Sequence, residues 1–410
     1  MTPSEQMRIY FFSPVPWEFL RQRSQHLADQ FRSLGVPVTF IESTSIRGAL
    51  AKGFVSFFGA AVRSLYWLVR SVLWIEGSGS SARAGESAGA RPSFEILTPP
   101  ITLPLNRFDS PLVEKLNARI HRRFLWKEIL RTMPEGETSI AFVEQLPWAP
   151  AIRNRDFDRL YVDFLDDVTV YAGKSSPERF VGFLRHLAPM ASAAFVTAET
   201  LQPMLKGYGY TCPMVRVPNG VDHEWFVRTA ESDRTIEDLA RIPRPRAGYV
   251  GAVYRWIDFP LVAAAARANP DVSFVFIGPY DDAANLERLR VAPNIHWLPA
   301  KPYADMPLCI REFDACLIPF AAGEVAETTN PVKLFEYFSL GKPVISTPMT
   351  ELQSYADLLY IVKGPGDFSR AFKQALDEHD PRTIDARREV ARAHSWRAHA
   401  LHILEVMKAG

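Results

Sequence analysis

The chain has 410 residues, an apolar content typical of soluble globular proteins and a formal net charge of +1. This length predicts two or three domains, and the near-zero charge gives no reason to expect a nucleic-acid-binding protein. The three cysteines, Cys212, Cys309 and Cys316, are odd in number and lack a zinc-site spacing, which favours a reducing compartment over a disulfide framework. No secretory signal is recognised at the start, so we expect a cytoplasmic protein.

The first half of the chain alternates short apolar runs with helical segments. It begins with a predicted strand at 7–12 and a helix over 18–34 that Gly35 ends. Further strands are predicted at 36–41, 94–97, 140–143, 160–163, 194–197 and 214–217. Strands that alternate with helices predict a doubly wound, largely parallel sheet, here in an N-terminal domain over 1–230.

Two segments interrupt this pattern. The very apolar segment 49–75 carries a thin basic stripe on one helical face, formed by Lys52, Ser56, Gly59, Arg63, Tyr66 and Arg70. We interpret it as a helix lying in a membrane interface, with a core helix that has a solvated basic edge as the alternative. A spanning helix is disfavoured because Arg63 would lie in mid-membrane. The low-complexity segment 77–93 predicts a mobile loop.

The second half repeats the alternation after a polar stretch at 231–246, which we interpret as a linker. Strands are predicted at 247–250, 272–277, 295–298, 315–318, 343–346 and 359–362. They define a C-terminal domain over 247–385. A last helix is predicted around 381–408 and forms the C-terminal segment 386–410. Ligands of such sheets bind beyond the carboxyl ends of the strands, so a site is expected where the two domains meet.

The most informative stretch is the segment 330–345. Asn330 is a good N-cap and Pro331 a favoured first residue of a helix. A helix N-terminus attracts phosphate, Lys333 adds a cation there, and Glu336 follows almost one turn later. A carboxylate in that place suits the two hydroxyls of a ribose, so the segment indicates nucleotide-sugar binding. An ordinary capped helix is the alternative interpretation.

This segment resembles the donor-site signature of retaining glycosyltransferases with the GT-B fold, in particular the family 4 or family 1-like enzymes of bacterial surface polysaccharides. In that group seven residues separate two glutamates, and the second binds the nucleotide ribose. Glu336 matches the second, whereas Thr328 occupies the position of the first. The turn 217–222 and the helix start 21–26 resemble the same family, which implies two Rossmann-like doubly wound domains facing across a cleft.

The resemblance also implies how the donor diphosphate is bound. Gly251 would let the backbone approach the phosphates, and Arg255 and Lys333 would supply positive charge without a metal ion. A surface salt bridge is the alternative for Arg255. Tyr303 follows a predicted strand near the expected base site, with a packing role as its alternative. The other predicted donor-site residues are Thr328, Thr329, Asn330 and Glu336.

Acidic residues at the ends of first-domain strands are the candidate catalytic groups. Glu144, Asp163 and Asp166 could stabilise positive charge on the sugar or orient an acceptor hydroxyl, and His26 is a further candidate. One aspartate of the 163–167 run could instead cap a helix. A metal-binding acidic motif of the other main transferase fold is a competing interpretation of this run. The predicted acceptor-side residues are Trp17, Arg21, Arg23 and Asn219.

Together these patterns predict a GT-B glycosyltransferase that transfers a sugar from a nucleoside diphosphate donor to a hydroxyl of a glycan, itself lipid-linked. The family implies retention of anomeric configuration, no metal and no cofactor beyond the donor substrate. The protein would lie on the inner face of the cell membrane through 49–75. Two alternatives remain: a nucleotide-sugar epimerase on the same fold, and a non-catalytic subunit that docks a glycan-assembly complex at the membrane.

Overall fold

The computed structural model describes residues 7–18, 21–43, 93–103, 110–167, 177–280, 287 and 292–409. The chain divides into two compact units. The first consists of Met1–Val217 and Ile403–Gly410, and the second of Pro218–His402. The predicted interfacial helix 49–75 lies outside the described residues, as does the predicted loop 77–93 apart from Ser93.

In the first unit, seven described strands form one parallel sheet in the order β3-β2-β1-β4-β5-β6-β7. The strands are β1 (Met7–Phe12), β2 (Val38–Ile41), β3 (Phe94–Leu97), β4 (Thr138–Val143), β5 (Arg159–Phe164), β6 (Ala191–Val196) and β7 (Met214–Arg216). Their central residues are buried because both faces of a parallel sheet are covered by other elements. The predicted doubly wound sheet is confirmed.

The helices of this unit that the structure describes are Arg23–Ser33, Pro111–Phe124, Pro177–Leu187 and Leu201–Gly207. Shorter helical turns cover Leu125–Leu130, Leu146–Ala151 and Ala188–Met190. The first helix begins at Arg23 rather than near residue 18, because Gln22 and Gln25 cap each other's backbone N–H groups there. Gly35 follows that helix with a φ of 89°, as the predicted stop requires.

In the second unit, six described strands form a parallel sheet in the order β10-β9-β8-β11-β12-β13. They are β8 (Arg246–Val250), β9 (Ser273–Ile277), β10 (Ile295–Leu298), β11 (Ala315–Ile318), β12 (Val344–Ser346) and β13 (Tyr360–Ile361). The described helices are His223–Ala230, Glu237–Ala240, Phe259–Ala268, Met306–Arg311, Glu324–Thr328, Val332–Ser339, Pro365–Leu376, Pro381–Ala393 and Trp396–Ala409. A single turn covers Tyr303–Asp305, and a kinked 3-10 segment covers Thr350–Leu358.

The boundary between the units lies between Val217 and Pro218, not in the predicted linker 231–246. This stretch contains a short helix, and its Leu239 is fully buried in the core of the second unit. Arg246, at its end, is also buried and donates hydrogen bonds to the carbonyl of Ile242. Burial of these residues makes the stretch part of the second unit despite its polar composition.

The end of the chain forms two helices, Pro381–Ala393 and Trp396–Ala409, rather than one. Residues Ile403–Gly410 belong to the first unit. There, the guanidinium of Arg159 and the hydroxyl of Tyr161 both donate to the carbonyl of Met407. The last turns of the chain are therefore attached to β5.

Each sheet has one point where its connections change direction. In the first sheet the chain runs from β1 outward to β3 on one side and from β4 outward to β7 on the other. In the second sheet β8 and β11 are the corresponding central pair. The crevice beyond the carboxyl ends of such a pair is the usual ligand site of a doubly wound sheet. In the part of the chain that is described, no helix is long and apolar enough to cross a membrane.

Candidate functional site

In the second unit, the helix Val332–Ser339 places Lys333 against the loop that follows β8. A side chain on Gly251 would put its Cβ 2.7 Å from Lys333 Nζ and closer still to Cε. Gly251 also has a φ of 129°, which other residues rarely adopt. The Lys333 ammonium lies 5.2 Å from the ring centroid of Tyr249 and makes no ion pair within the described residues. The crevice at β8 and β11 thus holds an unneutralised cation beside exposed glycine backbone.

Glu336 lies on the same helix, with only 8% of the residue exposed. Its carboxyl group makes no hydrogen bond to any residue that the structure describes. Burial raises the pKa of Glu336 to about 7, and the nearby Lys333 opposes this only in part. A buried carboxyl group without a partner is costly in a structural element and typical of a binding site. Ligand hydroxyls would satisfy its oxygens.

Asn330 does not cap this helix, which corrects the prediction from the sequence. Pro331 occupies the N-cap position, and no side chain caps it. The Asn330 side chain instead accepts a hydrogen bond from the backbone N–H of Asn219 (3.0 Å) and donates to Glu351 (3.2 Å). Asn219 Nδ2 donates in turn to the Asn330 carbonyl (2.7 Å). Asn219 therefore fixes the entry to the Lys333 helix, and this is the role that the structure gives the Pro-Asn-Gly-Val-Asp turn.

The glycine of that turn is required for space rather than for a left-handed backbone. A Cβ on Gly220 would lie 2.6 Å from the carbonyl oxygen of His394. The φ angle of Gly220 is not positive, so its backbone is open to other residues. The next acidic residue, Asp222, caps the helix His223–Ala230 through the N–H of Trp225.

The remaining predicted donor-site residues lie in the same unit. Thr328 and Thr329 are half-buried at the end of the short helix before the Lys333 helix. Arg255 is exposed in the loop after β8. Tyr303 is half-buried and stacks on Trp225, with ring centroids 5.2 Å apart and an interplanar angle of 9°. This arrangement favours the packing alternative for Tyr303, because one ring face is already covered.

In the first unit, Arg23 and Asp163 form a buried ion pair. Arg23 donates to both carboxylate oxygens of Asp163, at 2.8 and 3.0 Å, and the two side chains are 3% and 0% exposed. Such a bidentate pair fixes both groups. This corrects the prediction of Arg23 as an acceptor-side residue, since its guanidinium is already held by Asp163.

Glu144 lies beside this pair at the carboxyl end of β4, next to the end of β5. It accepts a hydrogen bond from the Ser24 hydroxyl, and its Oε1 is buried without a partner in the described part of the chain. Burial, and then the charge of Asp163, raises the pKa of Glu144 well above its ordinary range. The unit therefore places a carboxyl group of raised pKa beside an aspartate that is ion-paired with Arg23. Carboxyl groups in such unlike environments are typical of acid–base sites.

His26 is buried, and Arg21 donates a hydrogen bond to its Nδ1 at 3.3 Å. Burial, and then the charge of Arg21, lowers the pKa of His26 well below its ordinary value. Arg21, which precedes the helix Arg23–Ser33, also pairs with Asp29 on that helix.

The other predicted first-unit residues also lie beyond the carboxyl ends of strands of the first sheet. Trp17 packs edge-on against Phe40, and its backbone N–H donates to Glu42. Asp166 is half-buried and Asp167 is buried in the segment after β5. Over the described residues, no group of three or more His, Cys, Asp or Glu side chains is arranged to hold a metal ion.

Sequence reasoning missed two contacts that define these sites. Ser24 was not singled out, although it is the residue that binds Glu144. Tyr249 was not singled out either, although its ring lies beneath the Lys333 ammonium. A signal existed for the first contact, because Ser24 lies directly beside Arg23 in the Arg-x-Gln-His motif. None existed for the second, since an aromatic residue in a buried strand usually packs in the core.

The raised pKa of Glu336 predicts a pH-dependent stability. In the folded chain the carboxyl keeps its proton up to about pH 7, whereas the unfolded chain releases it near the ordinary value of 4.5. The unfolded state binds fewer protons in this window, so the free energy of unfolding falls as pH rises from about 4.5 to about 7, by about 3 kcal/mol. Glu336→Gln should remove this contribution, as measured by urea unfolding across the pH range. The exposed carboxyl variant Glu237→Gln is the control, and equal pH slopes for wild type and Glu336→Gln would contradict the assignment.

The Arg23–Asp163 pair predicts a non-additive effect on stability. Arg23→Met alone leaves a buried carboxylate without its partner and should destabilise the chain by about 3–5 kcal/mol. Adding Asp163→Val removes that charge, so the double variant should recover much of the loss. Urea unfolding midpoints measure both effects, with the exposed Arg119→Met as control. A double variant no more stable than Arg23→Met would show that the buried charge is not the cause.

Comparison with known proteins identifies part of the chain directly. Residues 244–378 match the family model described as glycosyl transferases group 1. TuaH of Bacillus subtilis (strain 168), which is named provisionally as a teichuronic acid biosynthesis glycosyltransferase, is 31% identical over 191 residues. That match covers 44% of this chain and 47% of TuaH, so it spans about half the length of this relative.

Solved structures match over the whole length at low identity. Anabaena HepE in complex with UDP and glucose has a TM-score of 0.62 at 13% identity, covering 99% of this chain and 100% of HepE. A Staphylococcus aureus TarM variant in complex with fondaparinux, alpha-GlcNAc-glycerol and UDP has a TM-score of 0.63 at 9% identity, covering 98% and 99%. The chain has the GT-B fold, and its residues 244–378 are similar to the glycosyl transferases group 1 family.

Proposed function

We propose that this protein is a glycosyltransferase of cell-surface polysaccharide biosynthesis, which transfers a sugar from a nucleoside diphosphate donor to a hydroxyl of a glycan. The observation that carries the proposal is the pairing of an unneutralised Lys333 with the unpartnered, buried Glu336 on one helix. A cation and a carboxyl group almost one turn apart suit a diphosphate and a ribose. The family match over 244–378 and the likeness to TuaH support the same function.

The donor diphosphate would lie at the N-terminus of the Lys333 helix. The backbone N–H groups of that helix and the Lys333 ammonium would bind phosphate oxygens, and Gly251 leaves room for them. Glu336 would accept hydrogen bonds from the ribose hydroxyls, which stabilise its ionised form. The HepE structure holds UDP and the TarM structure also holds UDP, so uracil is the base we propose first.

In the transfer, the bond between the anomeric carbon and the diphosphate oxygen breaks, and the acceptor oxygen forms the new bond. The acceptor proton leaves with the diphosphate or with a neighbouring base. Lys333 and the helix N-terminus would stabilise the negative charge on the leaving diphosphate. This supply of positive charge supports a metal-independent reaction, and the family resemblance supports retention of configuration.

The first unit would contribute acidic groups rather than cations. Asp163, ion-paired with Arg23, offers a fixed carboxylate that could oppose positive charge on the sugar. Glu144, whose pKa is raised by burial, is the candidate proton donor. A lipid-linked acceptor and a membrane contact through 49–75 stay predictions.

Nucleotide binding tests this proposal. We expect UDP to raise the unfolding temperature of the full chain without magnesium, because a ligand that binds only the folded state stabilises it. GDP, ADP, TDP and CMP complete the panel and identify the base. Lys333→Met and Glu336→Ala each remove a hydrogen bond to a charged group, so each should weaken UDP binding by about 10- to 100-fold.

Lys373→Met is the matched control, because Lys373 is exposed on the helix Pro365–Leu376 of the same unit. It should leave the UDP shift unchanged. No shift from any nucleotide would refute the donor site and favour the non-catalytic docking subunit. A shift that appears only with magnesium would refute metal independence. Release of free sugar without an acceptor would favour a different reaction on the same fold.

A further inference from the structure

A pocket of about 250 Å³ lies near the amino ends of β1 and β4 in the first sheet, at the opposite end of these strands from the candidate catalytic groups. Its lining includes Arg8, Tyr10, Glu137, Ser139, Arg155 and Asp158. Glu144 and Asp163 lie at the carboxyl ends of the strands, and a six-residue strand such as β1 spans about 20 Å. The pocket is therefore separate from the candidate catalytic groups of this unit.

Tyr10 brings an unused hydrogen-bonding group to this pocket. The residue is only 4% exposed, and its hydroxyl has no hydrogen-bond partner among the described residues. Burial raises the pKa of Tyr10 to about 12, so the phenol keeps its proton at neutral pH. Its ring is held by packing against Phe157, with centroids 5.5 Å apart. The hydroxyl itself is not fully buried, so it is a positioned donor that a ligand in the pocket can reach.

Arg155 brings a second unused group. Its guanidinium makes neither an ion pair nor a hydrogen bond within the described part of the chain. Its φ of 70° is left-handed, which costs an ordinary residue about 1–2 kcal/mol. The turn that imposes this conformation is closed from both sides, because the N–H of Asp156 donates to the Arg153 carbonyl and the Asp156 side chain accepts from the Arg153 N–H (2.7 Å). The backbone of the turn thus places Arg155 at the pocket, where its side chain is exposed.

The other polar groups of the lining decide which ligand fits. Arg8 is neutralised by Glu137 at 2.7 Å. Asp158 accepts from the N–H and the hydroxyl of Ser139 through one oxygen, which leaves its other oxygen as an acceptor. With Asp156, the lining carries three carboxylates against two guanidinium groups, so a phosphate is disfavoured. The lining thus offers hydrogen-bond donors from Tyr10 and Arg155 and an acceptor from Asp158, but no net positive charge. Such a lining suits a neutral ligand with several hydroxyl groups.

We propose that this pocket binds one neutral sugar residue, as a second saccharide site outside the donor site. The volume supports a single residue, since it lies just below the range of about 300–1,000 Å³ for drug-sized ligands. The Tyr10 hydroxyl and the Arg155 guanidinium donate to sugar oxygens, and Asp158 accepts from a sugar hydroxyl. The sugar is either a free monosaccharide or one unit of a glycan chain. The site does not depend on the proposed transfer reaction.

Saturation-transfer NMR on the full chain tests the proposal, with glucose, galactose and N-acetylglucosamine as probes, a linear tetrasaccharide of glucose, and inorganic phosphate. We expect saturable binding of at least one sugar. Tyr10→Phe removes one neutral hydrogen bond and should weaken it about threefold, and Arg155→Ala about tenfold. Arg153→Ala is the control, because Arg153 is an exposed arginine of the same turn that is not part of the lining. Urea unfolding midpoints check that each variant is folded.

Absence of saturable sugar binding would overturn the proposal, as would equal binding by wild type, Tyr10→Phe and Arg155→Ala. Binding of phosphate but of no sugar would also overturn it and make the pocket an anion site. Tighter binding of the tetrasaccharide than of glucose would show that the bound sugar is one unit of a glycan chain. Equal binding of the two would show that it is a free monosaccharide. The UDP shift reports on Lys333 and Glu336 alone, so the two proposals can fail separately.

Discussion

The missing side chain at Gly251 determines where the second unit carries its positive charge. Because no Cβ is present, the Lys333 side chain lies directly against the loop after β8. Its ammonium rests near the Tyr249 ring and makes no ion pair with a carboxylate of the described residues. The charge is therefore positioned but not neutralised. The Lys333 helix must then enter at a fixed place, and the hydrogen bonds between Asn219 and Asn330 secure that entry.

The two units use the same topology for different chemistry. Each candidate cluster lies at the carboxyl ends of central strands of its own sheet, where neighbouring loops separate. In the second unit the pair β8 and β11 borders a cation and a buried carboxyl group, which suits a nucleotide. In the first unit Glu144 and Asp163 lie at the ends of β4 and β5, where burial raises the pKa of Glu144 and Arg23 forms an ion pair with Asp163. The two candidate clusters thus differ in their charged groups, although the two units share the same sheet topology.

The fold could be predicted from the sequence because apolar runs bounded by turn residues are local signals. The strands at 94–97, 295–298 and 315–318 have the predicted bounds, and Gly35 ends its helix as expected. The failures have nonlocal causes. Asn330 looks like a cap in the sequence, but a residue more than a hundred positions away, Asn219, binds it instead. Arg23 and His26 look available for ligands, but tertiary burial commits the one to Asp163 and keeps the other neutral.

A structure of the full chain with UDP bound tests the central claim most directly. The account predicts that the diphosphate contacts Lys333 Nζ and the first backbone N–H groups of the Val332–Ser339 helix, near Gly251. It also predicts that the Glu336 carboxylate accepts hydrogen bonds from the ribose hydroxyls, which it can do because no described protein group occupies its oxygens. UDP bound elsewhere, or bound with Lys333 and Glu336 both out of contact, would contradict the account.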